Sequence, residues 1–162
     1  MLKKVYMTFT ALQYEPSVGV SEKDEASEPV SIVQHLSARF RETAQEVSLS
    51  YDEPDENSRP SARVQLYFTK SDPNTITLTR SGAQNYVLVF CEGRRHASEY
   101  LLPEMNIELS VVTRRLHNAL LSEGSLHLEY SVELQGCSDG LRVIDIRLDD
   151  PSEVTALREY RT

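Results

Sequence analysis

SARVQLYFTK, residues 61–70, decides the fold class: Ala62, Val64, Leu66 and Phe68 fall on one side of an extended chain, Arg63, Gln65, Tyr67 and Thr69 on the other. Successive side chains of a strand point to opposite faces, so this period of two marks a strand with one buried face. SLHLEYSVEL, residues 125–134, repeats the pattern with Leu126, Leu128, Tyr130, Val132 and Leu134 against His127, Glu129, Ser131 and Glu133. The same alternation runs from end to end of the 162 residues.

Working outward from these two segments predicts about ten strands. The first covers about residues 3–13, where Tyr6, Thr8 and Thr10 alternate with Val5, Met7, Phe9 and Ala11. The next places Ile32, Leu36, Ala38 and Phe40 on one face with Gln34 among them, and Val47, Leu49 and Tyr51 mark a third. Asp72-Pro73-Asn74 reads as a turn because proline presets φ for a corner position. Ile76 and Leu78 follow, and Ser81-Gly82 supplies another turn. YVLVFC, residues 86–91, is apolar on both faces, as expected of a strand covered on its outer side too. A short strand surrounds Tyr100, then Ile107, Leu109, Val111 and Thr113 line one face of the next, and the last runs about 140–148.

RRLHNALLSEG, residues 114–124, fits either a short helix, with Leu116, Leu120 and Leu121 at helical spacing before Gly124, or a strand running into a turn; the strand is preferred. Residues 14–29 form an acidic, proline-containing stretch that reads as a mobile loop, and 150–162 as a tail or short helix opened by Asp150, Pro151 and Glu153. Short turns without βαβ alternation leave a sandwich or a barrel, and a closed barrel removes exposed edges. The expectation is one all-β domain over 1–162, an antiparallel up-and-down barrel of about 8–10 strands with a short C-terminal helix.

Composition narrows the function classes. A formal charge of −8 and a pI near 5.0 argue against nucleic acid, whose phosphates demand a basic face. Neighbouring arginines on a strand point to opposite faces, so the pairs Arg94-Arg95 and Arg114-Arg115 make no phosphate patch. No window approaches the ~20 apolar residues that span a bilayer. Cys91, inside an apolar run, reads as a small buried hydrophobe and Cys137 as an exposed thiol; two cysteines without a framework suit a reducing, cytoplasmic compartment. His35, His96, His117 and His127 lack metal-ligand spacing, and no Gly-x-Ser-x-Gly is present. No catalytic residue, metal or cofactor is assigned, and a non-enzymatic protein is favoured over a hydrolase or isomerase.

The stretch from Tyr51 to Leu148 resembles the YwiB-like family of bacterial domains of unknown function, grouped with lipocalin-like (calycin) barrels. The resemblance is carried in order by Tyr51-Asp52-Glu53, Thr79-Arg80-Ser81-Gly82 and Leu88-Val89-Phe90 with Gly93. It continues through Tyr100-Leu101-Leu102-Pro103, Val112-Thr113 and Gly124-Ser125-Leu126-His127-Leu128-Glu129-Tyr130. It implies a lipocalin-like barrel. The Gly-x-Trp signature of true lipocalins is missing, since the chain has no Trp, so a carrier role does not follow from the resemblance.

Polar residues on apolar stripes are the informative ones. Arg80 continues the stripe of Ile76 and Leu78, and Glu53 that of Val47, Leu49 and Tyr51. Thr113 ends a third stripe, Tyr130 interrupts a fourth, and Tyr100 lies close in sequence to the same region. If these stripes face inward, Glu53, Arg80, Tyr100, Thr113 and Tyr130 furnish the interior for a small, partly apolar ligand, whose carboxylate or phosphate an arginine suits. The competing reading is a solid core, with Arg80 and Glu53 paired at a rim, in a protein that works through its outer surface or as a homodimer.

Overall fold

Alternation of apolar and polar side chains lets each strand bury one face, and ten such strands close on themselves in a computed structural model that describes residues 2–15, 29–54, 60–82 and 85–149. The strands are β1 (Leu2–Tyr14), β2 (Val30–Glu42), β3 (Glu46–Pro54), β4 (Pro60–Thr69) and β5 (Asp72–Gly82), followed by β6 (Asn85–Cys91), β7 (Arg95–Leu101) and β8 (Asn106–Ala119). A four-residue helix α1 (Leu120–Glu123) precedes β9 (Ser125–Leu134) and β10 (Cys137–Leu148). Every strand pairs antiparallel with its sequence neighbours, and β1 pairs with β10 from Met7↔Leu148 to Tyr14↔Leu141, which closes the barrel. This is the all-β up-and-down barrel expected from the alternation. The acidic stretch is largely outside the described residues, as is the C-terminal helix.

Met7, Val47, Leu49, Ile76, Phe90, Val111, Leu128 and Ile146 form the driest part of the core, each from an inward stripe. Two ladders are short. β2 and β3 pair only from Arg39↔Ser50 to Glu42↔Val47, and β6 and β7 only at Asn85↔Leu101 and Tyr86↔Tyr100. Beyond Arg39 the inward side chains of Val30 and Ile32 are therefore exposed.

Several local readings need correcting. The turn before β5 is Lys70-Ser71, and Asp72 already pairs with Thr69. Segment 114–124 holds both alternatives: β8 runs to Ala119, then α1 makes a single turn ended by Gly124 in the left-handed conformation (φ 70°). A bulge between Thr113 and Arg115 sets both Arg114 and Arg115 on the solvent side and returns Leu116 to the interior opposite Leu128. The rule of opposite faces fails there because a bulge adds one unpaired residue. Cys91 lies on the outer face of β6 and is half-buried, whereas Cys137 is exposed as expected.

Candidate functional site

Register brings the polar residues of the stripes into two rows. Tyr51, Val64, Arg80, Tyr86, Tyr100 and Ile107 are successive cross-strand neighbours from β3 to β8. Thr113, Tyr130, Arg142 and Gln13 are successive neighbours from β8 through β9 and β10 to β1. The rows supply two arginine clusters.

In the first cluster Arg80 Nη1 donates to Glu53 Oε2 at 2.7 Å, with both side chains mostly sheltered. The Arg80 guanidinium lies 5.9 Å from the centroid of the Tyr86 ring, which stacks on Tyr100 at 5.6 Å. Burial works against the charge on Arg80, but Tyr86 and Glu53 outweigh it and hold the arginine above its usual pKa. β5 ends at Gly82, where φ is 152° and a Cβ would stand 2.5 Å from the Ser61 carbonyl oxygen. That close approach of backbone to backbone demands glycine and fixes the end of the strand that carries Arg80.

In the second cluster Arg142 pairs with Asp139 and hydrogen-bonds Tyr130. The register shift between Ser138 and Leu141 turns Asp139 toward the interior, where its Oδ1 also accepts from the Val132 amide at 3.2 Å. Burial pushes the Tyr130 hydroxyl up to about 12 and raises Tyr51 as well, so both remain neutral hydrogen-bonding groups at physiological pH. The Tyr130 ring meets Phe90 edge-on at 4.7 Å.

The clusters share two cavities. One of about 250 Å³ is bounded by Glu53, Arg80, Tyr86, Tyr130 and Arg142 among apolar residues including Phe9, Leu66, Leu78 and Leu128. The other, about 430 Å³, is bounded by Arg80, Tyr86, Tyr100, Asp139 and Arg142 with Ile107, Leu109 and Val132. Glu53, Arg80 and Tyr130 thus meet in the first cavity, and Arg80 and Tyr100 in the second. Thr113 lines neither of these cavities; it is 1% exposed in the packed core. Tyr86, Arg142 and Asp139 are the members that sequence reasoning missed. Arg142 could have been found, because it continues the inward stripe of Ile144 and Ile146. Tyr86 was hidden by a strand apolar on both faces.

Ten antiparallel strands closed around two arginine–carboxylate pairs define the class: an up-and-down β-barrel with a furnished, partly apolar interior. The chain belongs to the family described as Domain of unknown function (DUF1934), which matches residues 18–146. Among solved structures it is similar to the crystal structure of ywiB protein from Bacillus subtilis, with 15% sequence identity and a TM-score of 0.63 over 92% of this chain and 96% of that one. That likeness concerns the fold. The YwiB-like resemblance read from Tyr51 to Leu148 agrees with both findings. No curated protein matches the chain.

Proposed function

We propose that the barrel, acting as a single lipocalin-like domain, binds a small, partly apolar ligand in its interior, with Arg80 and Glu53 orienting the ligand's polar end. The observation that carries this reading is the position of the Glu53–Arg80 pair on the wall of an otherwise largely apolar cavity of about 250 Å³. Ligand sites combine apolar walls with a few placed polar groups in this way, and a cavity of about 250 Å³, just below their usual ~300–1,000 Å³, restricts the ligand to a small molecule. Tyr130 extends the polar lining of this cavity and Tyr100 that of the neighbouring one; Thr113 supports Tyr130 from the packed core. Two free cysteines, Cys91 and Cys137, suit a cytoplasmic setting.

The test is displacement of an apolar fluorescent probe from the purified protein. Saturable binding that weakens in Arg80→Met supports the reading; absence of saturable binding by the folded protein overturns it. A homodimer is the second reading, favoured by Val87, which is 42% exposed beside Val89 on the outer face of β6. Sedimentation as a strict monomer at micromolar concentration would remove it.

A further inference from the structure

The barrel interior offers more hydrogen-bond donors than acceptors, and the surplus is concentrated on Arg80 and Arg142. A guanidinium has five N–H donors and no acceptor. Glu53 takes Nη1 of Arg80 and Asp139 takes Nη2 of Arg142, and one tyrosine hydroxyl accepts from each arginine, Tyr86 from Arg80 and Tyr130 from Arg142. The other oxygen of Asp139 is occupied by the Val132 amide. On both arginines Nε is closed off from solvent and has no hydrogen-bond partner among the described residues. Buried donors of this kind are normally paired, so each is evidence of a missing acceptor. Both arginines line both cavities, so the two arginine side chains are shared between them.

The missing acceptor has to satisfy two planar cations in a sheltered setting. A carboxylate or a phosphate does so, since its oxygens match the guanidinium fork and form charge-assisted bonds. A hydroxyl or a single carbonyl oxygen has too few lone pairs to serve two forks. The tyrosines add to the demand: Tyr51 and Tyr130 are held neutral by burial and carry hydroxyl protons.

We propose that the ligand is a small amphiphilic anion, its carboxylate or phosphate held between Arg80 and Arg142 and its apolar chain in the cavity walled by Phe9, Leu66 and Leu78. This rests on the interior-ligand reading above and gives that ligand a chemical class. The cavity of about 250 Å³ is roughly eight times the ~30 Å³ that a water molecule occupies in the liquid, which sets a chain of about eight heavy atoms.

The experiment is calorimetric titration of the full chain with octanoate, octyl phosphate and 1-octanol, three eight-carbon chains that differ in the head group. At least one of the anions is expected to bind tenfold or more tightly than octanol, and the tighter anion identifies the head group. In Arg80→Met and Arg142→Met that preference falls to less than threefold while octanol binding is unchanged. Equal affinities for octanol and both anions overturn the anionic class but leave the interior site standing. Failure of all three to bind removes the interior site along with it. The wild-type comparison requires no variant to fold; Arg80→Lys and Arg142→Lys, which keep the charge and lose the fork, are expected to retain part of the preference.

Discussion

Replacing Thr113 by valine should make the protein more stable. Thr113 is 1% exposed, and its Oγ1 has no hydrogen-bond partner among the described residues. Its backbone groups are already engaged, the amide donating to the Arg94 carbonyl at 3.1 Å and the carbonyl accepting from Gly93 at 2.9 Å, so the strand keeps its ladder in the variant. Both side chains are β-branched and nearly identical in shape, so valine keeps the outline that Thr113 fills in the packed core. A buried, unpaired hydroxyl costs about 1–3 kcal/mol, which the substitution removes. The new methyl adds up to roughly 0.8 kcal/mol of burial, partly offset by tighter packing. The net expectation is a gain of about 1–2 kcal/mol, or a rise in Tm of about 2–8 °C at the ~2–4 °C per kcal/mol usual for chains of this size. Urea unfolding followed by far-UV circular dichroism measures it, with an unchanged m-value as the sign that only stability moved. A loss of more than about 0.5 kcal/mol at constant m would show that the hydroxyl is paired and refute the reasoning.

Three further outcomes are expected. His127 lies between Glu129 (2.9 Å) and Asp145 (2.6 Å), and these carboxylates raise its pKa, Glu129 most. Its contribution is therefore full below the ordinary value of about 6.5 and is lost as pH rises through the raised folded value; NMR titration should place its midpoint above 6.5, and His127→Gln should flatten that part of the stability profile. Tyr130, pushed up to about 12 by burial, contributes stability that is complete below pH ~10 and disappears between about 10 and 12. Absorbance titration should then show phenol ionisation lagging the ordinary tyrosines, and ionisation of all eight tyrosines near pH 10 in the folded protein would contradict it. Gly82→Ala should cost about 1–3 kcal/mol in the same urea assay, because its Cβ would meet the Ser61 carbonyl oxygen in a backbone conformation unsuited to alanine; a neutral result would mean that β4 and β5 can part there.

Strand identity was legible wherever one face is buried and the other wet, as in SARVQLYFTK and SLHLEYSVEL. The same logic sent Glu53, Arg80 and Tyr130 inward correctly, because each lies an even number of residues from a core position on an uninterrupted strand. It fails at bulges. Nothing in RRLHN announces that Arg114 is an extra residue, and nothing in CSDGL announces that Asp139 turns to meet Arg142. Both depend on the partner strand, β9, and so on register rather than composition. Thr113 was placed on the right face, but alternation along one strand does not reveal whether the facing volume is filled. Closure by β1 and β10 is likewise invisible locally, since it joins Met7 to Leu148 across nearly the whole chain.

The two short ladders divide the closed wall into leaves, one of four strands (β3–β6) and one of six (β7–β10 with β1 and β2). Glu53, Arg80 and Tyr86 ride on the smaller leaf, and Asp139, Arg142 and Tyr130 on the larger. Each joint by itself is held by fewer paired residues than any of the other ladders, so the wall opens most easily there. The Tyr86–Tyr100 stack bridges one joint like a clasp, and the pairing between Arg39 and Ser50 marks where the other begins. A molecule gripped by both arginines would therefore rivet the two leaves together, and slower amide exchange along these joints would register its arrival.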